Sequence, residues 1–278
     1  MCCEALNTWL HSHALQGCDG SVLLDPTPAN PQPEKLSPPN FPSLRGFEII
    51  DAAKAALEKV CPGKVSCADV LAFAARDSAV FLSGSKIKYN IPSGRFDGRV
   101  SLDDEALEFL PPPFFNLTEL VDSFKVKNLN EDDLVVLSGA HSIGISHCSS
   151  FIDRLPPNPS NMNPSLSAQL QKKCPLAPTI TNDPIQVLDI VTPGQLDNQY
   201  YLNVRKRNVL FRSDAELVTS TLTAKKVYQN AIHPEVWERK FAKAMIKMSA
   251  IELKTRKNGE IRKIQRLNGN SQNSVLDM

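Results

Sequence analysis

The 278-residue chain predicts a mainly α-helical fold. Apolar residues recur at helical spacing in several segments, residues suited to helix N-caps stand ahead of them, and proline-rich stretches separate them. Hydrophobic residues make up 42 % and charged residues 22 %, ordinary for a globular chain long enough for one large domain or two lobes sharing a core. A net charge of +1 gives no electrostatic reason to expect nucleic acid as a partner. Charges or prolines interrupt every apolar run before it reaches membrane-spanning length.

The start, Met-Cys-Cys-Glu-Ala-Leu-Asn, has neither a basic patch nor a sustained apolar stretch and does not read as a secretory signal. The first helical pattern covers residues 43–57 and puts Phe47, Ile50, Ala53 and Leu57 on one face. Ser66 caps a second helix over 67–80, where Val70, Ala74 and Ala75 suit close packing. Residues 85–92 alternate weakly and predict one short strand. Pro111-Pro112-Pro113 cannot be helical and introduces a short helix over 117–124. Asn130 caps the next, 131–143, which carries Leu134, Val135, Leu137 and Ser138 up to His141. A Pro/Asn-rich loop, 156–164, precedes helices predicted at 197–208, 223–232 and 234–253. In the last, Trp237, Phe241, Met245 and Met248 recur at helical spacing, a core stripe rather than a cofactor box. The tail from Arg256 is polar and predicts poor order at its end. No segment repeats at a fixed period.

His141 sits in Leu137-Ser-Gly-Ala-His-Ser-Ile-Gly144, where Gly139, Ala140 and Gly144 would let a large flat group approach the backbone. A histidine at a helix end is most often structural, because the helix dipole favours its charged form there. The alternative, a metal ligand, gains weight from nearby oxygen-rich runs. Asp189, Thr192, the Gln195 carbonyl and Asp197 offer hard oxygen donors suited to calcium. Asp19, Ser21 and the Gly17 carbonyl form a second such run. Neither is an EF-hand loop, and turns are generally rich in these residues, so spacing alone leaves both open. Seven cysteines, Cys2, Cys3, Cys18, Cys61, Cys67, Cys148 and Cys174, cannot all pair within one chain; they read as scattered thiols or as remnants of a disulfide framework.

Several segments together resemble the plant class III (secretory) heme peroxidases. They are Gln16-Gly-Cys-Asp-Gly-Ser-Val-Leu-Leu-Asp25, Val65-Ser-Cys-Ala-Asp-Val-Leu-Ala72, the His141 motif, Leu196-Asp-Asn-Gln-Tyr-Tyr201, Ser213-Asp214 and Gly259-Glu-Ile-Arg262. They stand in that family's order and at its approximate spacing, from about Leu10 to Asn268. The resemblance implies one plant-type peroxidase domain over 1–278, with residues 1–9 divergent and 269–278 a disordered tail. It implies a two-lobed helical fold with one heme b between the lobes, two calcium ions, and reduction of hydrogen peroxide by small phenolic donors. It also implies a monomer, secreted or vacuolar.

By position, the resemblance makes His141 the proximal iron ligand and Asp214 the carboxylate that accepts a hydrogen bond from its imidazole. Ser142 joins Asp189, Thr192, Gln195 and Asp197 in the proximal calcium site. Leu15, Gly17, Asp19 and Ser21 belong to the distal one, which Glu34 completes through water. Asn40 orients the distal histidine, Pro111 presents a carbonyl to the aromatic donor, and Asp69 with Arg95 forms a buried structural ion pair. Cys148 and Cys174 match one family disulfide.

The distal motif departs from the family. Without a gap, the catalytic acid/base falls on His11, the charge-stabilising arginine on Asn7 and a calcium-binding aspartate on Ser12; a two-residue deletion would make His13 the base instead, and both histidines can also be read as solvent-exposed. A neutral Asn7 gives up a preorganised charge whose loss typically costs roughly 3–4 kcal/mol. Cys18 should pair with the residue now His13, Cys61 with a cysteine upstream of Met1, and Cys67 with the position now Gln265. The chain thus begins inside what the family makes its second helix, as a truncated product or divergent paralogue would. Three readings follow: a phenol-oxidising heme peroxidase, a catalytically impaired heme- or calcium-binding relic, and an apo structural protein. Asn7 favours the relic, whereas Asn40, Asp214 and the proximal calcium residues favour the peroxidase. Asn116-Leu-Thr118 is a possible glycosylation site if the chain enters the secretory path.

Overall fold

The computed structural model describes residues 18–267. Among them are ten α-helices and one two-stranded sheet, as the helical periodicity predicts. The helices are α1 Phe47–Val60, α2 Cys67–Leu82, α3 Asp103–Phe109, α4 Leu117–Val126, α5 Glu131–Ser138, α6 Pro164–Gln171, α7 Gln199–Arg205, α8 Arg212–Glu216, α9 Thr221–Ile232 and α10 Pro234–Met248. The strands are β1 Ile145–His147 and β2 Ile185–Val187. The chain forms two compact units. The first takes residues up to Phe81, Lys88–Leu110 and residues from Met245 onward; the second takes Leu82–Ile87 and Pro111–Ala244.

In the first unit, Ser66 Oγ accepts the Asp69 N–H at 3.0 Å, the cap that the sequence predicts for α2. The face predicted for α1 is only partly right. Ile50 is buried but so is Lys54, whose stem is covered while its ammonium donates to Glu58 Oε1 and the Val65 carbonyl, both at 2.5 Å. Arg95 Nη1 donates to Asp69 Oδ1 at 2.8 Å and its other nitrogens hold the Ser249 carbonyl, so this pair pins separate segments of the unit. The region after Arg256 is not uniformly exposed. Arg262 and Gln265 are each 1 % exposed, because the backbone of Glu260 pairs with Asp97, and Asp97 Oδ2 accepts the Arg262 N–H at 2.9 Å.

No strand forms at 85–92. Ile87, Tyr89 and Ile91 are buried there in irregular extended chain, so the alternation records burial without a ladder partner. Three helices lack a prediction. The α3 helix opens on Asp103, Asp104 and Glu105, acids that suit a helix N-terminus. The α6 helix begins inside the predicted loop, with Asn163 as cap and Pro164 in its first turn. At five residues, α8 is too short for periodicity to register.

In the second unit, α4 and α5 each start with a capping box, Asn116 with Glu119 and Asn130 with Asp133. Asp132 in the first turn of α5 meets Lys226 of α9 and Lys240 of α10 at 3.1 and 3.0 Å. Trp237 and Phe241 are fully buried, as are Met245 and Met248 farther along α10, so the predicted stripe is core. A second cluster gathers Phe151, Leu155, Met162, Leu166, Leu170 and Leu210 around Cys148 and Cys174.

Candidate functional site

The predicted helix 131–143 ends as an α-helix at Ser138 and continues as a 3-10 turn, Gly139–Ser142. A physical cause is visible at its last carbonyls. Tyr201 Oη donates to Val135 and Val136 O at 2.9 and 3.1 Å, and Trp237 Nε1 donates to Val136 O at 3.2 Å. These donors satisfy acceptors that continued α-helix would use. They also correct the expected role of Gly139: a Cβ there would lie 2.6 Å from Tyr201 Oη and 2.7 Å from Trp237 Nε1. The missing side chain makes room for the protein's own aromatic residues.

His141 sits on this turn. Its Nδ1 lies 2.8 Å from Asp214 Oδ1, contributed by α8. Tyr200 Oη of α7 donates to the same oxygen at 2.7 Å. Asp214 is 4 % exposed, whereas the His141 side chain keeps 37 % of its surface. Burial disfavours the imidazolium; Asp214, by charge and hydrogen bond, outweighs it and holds His141 above the usual histidine value. Solvent on the exposed part of the ring tempers both effects. Because Nδ1–H donates its hydrogen bond to the carboxylate, Nε2 is the nitrogen with a lone pair to offer, and it has no hydrogen bond among the described residues. Edge-on contacts with Tyr200 and Phe211, at centroid distances of 6.1 and 5.3 Å, fix the ring plane.

The proximal oxygen run also comes together. Ser142 Oγ accepts the Asp197 N–H at 3.3 Å, and Thr192 Oγ1 donates to Asp197 Oδ1 at 3.2 Å. Asp189 Oδ1 accepts the Val191 and Thr192 N–H groups at 2.7 and 2.9 Å, while its buried Oδ2 has no partner. Burial raises the Asp197 carboxyl above its usual range, and the charge of Asp189 adds to the shift. Gln195 donates its backbone N–H to Thr192 O at 3.0 Å, closing the turn. The sheet holds this loop beside the His141 turn: Ile145 pairs with Val187 and His147 with Ile185, and Ile143 bridges Gly194. Two carboxylates, two hydroxyls and a carbonyl make an oxygen set that fits a hard cation, and the unpartnered Asp189 oxygen is its open valence. Among the described residues, no three His, Cys, Asp or Glu side chains converge on a metal-sized point.

In the first unit, Asp19 Oδ1 accepts the Ser21 N–H at 3.0 Å, and Oδ2 lies 3.3 Å from Lys254 Nζ, outside hydrogen-bond geometry. Glu34 is fully buried and neither carboxylate oxygen has a hydrogen-bond partner. Burial pushes its carboxyl up to about 8; the nearby Ser21 hydroxyl opposes that and the charge of Asp19 adds to it. The two unpartnered Glu34 oxygens fit a second cation site, whereas Asp19 Oδ2 already has the Lys254 ammonium as its counter-ion. Asn40 is buried and donates from Nδ2 to the Glu34 carbonyl at 2.7 Å. Pro111 is partly exposed, and two residues on the Pro113 carbonyl accepts the Ser213 N–H at 2.9 Å, next to Asp214. His11, Leu15 and Gly17, with Asn7, Ser12 and His13, lie outside the described residues.

Cys148 and Cys174 are disulfide-bonded. Cys18, Cys61 and Cys67 are free, and Gln265 donates from Nε2 to the Phe47 carbonyl at 2.9 Å. Sequence reading missed Tyr200 and Arg154 as parts of the His141 surroundings. Arg154 is buried and its Nη1 donates to the carbonyls of Val209, Leu210 and Phe211, each at 2.7 Å, bracing the strand of chain that enters α8. No periodicity links these positions to Asp214; a buried arginine is visible only once the chain is folded.

The protein-family model described as Peroxidase matches residues 1–232. The chain is 55 % identical to Peroxidase 2 of Zea mays over 253 residues, 91 % of this chain and 76 % of that protein. It is 47 % identical to Peroxidase 5 of Vitis vinifera, over 91 % of this chain and 77 % of the relative. Against Peroxidase 27 of Arabidopsis thaliana the identity is 44 %, over 93 % and 79 %. The match runs through both the His141 turn and the α8 segment that bears Asp214. This chain is therefore a member of the plant class III peroxidase family.

Proposed function

We propose that this chain is a heme peroxidase that reduces hydrogen peroxide with electrons from small phenolic donors. The observation that carries the reading is the His141 pair: Nδ1 locked to a buried carboxylate at 2.8 Å, and Nε2 with no hydrogen bond among the described residues. Ferric heme, when bound, supplies the redox centre between peroxide and donor. One peroxide and two phenols then give two waters and two phenoxyl radicals.

The chain's own residues have separate tasks in this reading. His141 would hold the iron through Nε2, and Asp214 keeps the ring oriented and electron-rich by accepting the Nδ1–H hydrogen bond. His11 takes a proton from the inner oxygen of peroxide and returns it to the leaving oxygen. Asn40 orients that histidine, and Pro111 offers its carbonyl to the phenol. Ser142, Asp189, Thr192, Gln195 and Asp197 would hold one calcium ion; Leu15, Gly17, Asp19, Ser21 and Glu34 would hold a second, weakened by the neutral Ser12. By family the protein is a secreted or vacuolar monomer, and no described helix is long and apolar enough to cross a membrane.

A second reading rests on one residue. With Asn7 where a positive charge is expected, the chain retains heme and calcium but turns over two to three orders of magnitude more slowly, as a relic of the family. Purification with hemin and calcium, followed by the Soret band and guaiacol oxidation with peroxide, separates the two. A Soret band with turnover supports the peroxidase, a band without turnover supports the relic, and no band refutes the heme assignment. His141→Ala should abolish heme retention; unchanged heme content in that variant refutes the ligand assignment.

A further inference from the structure

Asp214 Oδ1 accepts two hydrogen bonds, from His141 Nδ1 at 2.8 Å and from Tyr200 Oη at 2.7 Å. The two donors therefore compete for one oxygen. Electron density that the carboxylate gives to the phenol proton is withheld from the imidazole proton, so the imidazole keeps more of its Nδ1–H bond and is a poorer donor at Nε2. The competition is built in. Tyr200 is 2 % exposed, its ring packs edge-on against His141 at 6.1 Å and against Tyr201 at 5.0 Å, and Tyr201 is in turn tied to the α5 carbonyls. The phenol has no solvent to turn toward. The positive charge of Arg154 acts on Asp214 in the same sense.

We propose that Tyr200 is a positioning residue that sets the donor strength of His141, by sharing Asp214 Oδ1 and so moderating how much of the Nδ1 proton the carboxylate draws away. This rests on the reading of His141 as the heme ligand. It adds to it that the carboxylate's pull on the ligand is graded by a third side chain.

Tyr200→Phe deletes the hydroxyl and keeps the ring. In the heme-loaded full chain, the iron–histidine stretch of the ferrous form should rise in frequency and the ferric/ferrous potential should fall, both opposite in direction to the changes from Asp214→Asn. A purely packing role for Tyr200 moves neither. 3-Fluorotyrosine at position 200, a stronger donor of nearly the same shape, should shift both readouts the other way, and it serves if the Phe variant folds poorly. An apo arm separates this inference from the heme reading: without heme, the His141 Nδ1 proton resonance should move downfield in Tyr200→Phe. Absence of a Soret band in the wild-type chain refutes the heme reading alone. An unchanged apo resonance, or an unchanged stretch and potential in heme-loaded variants, overturns the role of Tyr200.

Discussion

Replacing Gly139 by alanine should destabilise the protein, although backbone propensity argues for the opposite. Gly139 has φ −59° and ψ −14°, a right-handed conformation that alanine adopts freely. On that ground alone alanine would stabilise by about 0.4–1 kcal/mol through the unfolded state. Packing reverses the sign. The new Cβ would stand 2.6 Å from Tyr201 Oη and 2.7 and 2.9 Å from Trp237 Nε1 and Cζ2, and both side chains are 0 % exposed. Neither is a flexible end that can swing into water. Overpacking of this kind costs about 1–3 kcal/mol, and displacing Tyr201 or Trp237 weakens bonds to the Val135 and Val136 carbonyls worth about 1 kcal/mol each. A net loss of about 2–4 kcal/mol follows, against a typical domain stability of about 5–15 kcal/mol. Urea unfolding followed by tryptophan fluorescence reads it directly, with Gly194→Ala as control because nothing lies within 4 Å of a Cβ there. A Gly139→Ala midpoint at or above wild type would refute the packing argument. The same turn carries His141, so heme retention should fall with it.

Three further outcomes are expected. Replacing Cys148 and Cys174 together by serine opens a cross-link of sequence separation 26 and should cost about 3–4 kcal/mol on loop entropy; a thermal midpoint unchanged from the oxidised wild type would contradict this. Burial pushes the Cys18 and Cys67 thiols up to about 12, so at pH 8 roughly one molecule in ten thousand carries either as thiolate. Iodoacetamide with peptide mapping should therefore label the partly exposed Cys61 and spare the other two until urea is added, and fast labelling of Cys18 in the native protein would count against its burial. Glu34 is raised from 4.5 to about 8, so in a chelator the native state holds this proton where the unfolded state has lost it. Its contribution to stability is full below pH 4.5 and is lost as pH rises to about 8, on the order of 5 kcal/mol. Glu34→Gln should flatten the pH dependence of the urea midpoint in that window, and an unaltered slope would show that the carboxyl is not isolated from water.

Which parts were legible in the sequence depends on the range over which each signal acts. Caps and periodicity are local: Ser66, Asn130 and the Trp237–Phe241 stripe do what their neighbours predict. The end of α5 was misplaced because its determinants, Tyr201 and Trp237, lie far away in sequence and compete for carbonyls that local rules assign to the helix. The burial of Lys54 and Arg262 was equally hidden, since a charged side chain reads as surface until its specific acceptors are placed. The pairing of His141 with Asp214 is reached through the family motifs, which carry long-range pairings that composition cannot. His141 and Asp214 are 73 residues apart, and no periodicity joins them. Tyr200 lies in the Leu196–Tyr201 motif, but a motif records identity and not which oxygen a hydroxyl reaches.

The proximal oxygen cluster and the histidine are joined through Ser142 and the bridge beside it into one mechanical part. Ser142 follows His141 directly and accepts the Asp197 N–H, while Ile143 bridges Gly194 and Leu188 donates to the Gly144 carbonyl at 3.1 Å. Asp189 and Asp197 repel across this loop, which is part of why the Asp197 carboxyl is raised. A calcium ion would convert that repulsion into two attractions and hold the loop against the turn. Without it, the loop must either take up a proton or separate its carboxylates, and separation pulls on Ser142. The residue next to Ser142 is the one whose Nδ1 must stay at 2.8 Å from Asp214, and a 3-10 turn four residues long has little slack to absorb the displacement. Chelation should therefore be felt first as a reoriented imidazole rather than as unfolding. The physical coupling runs through one peptide bond.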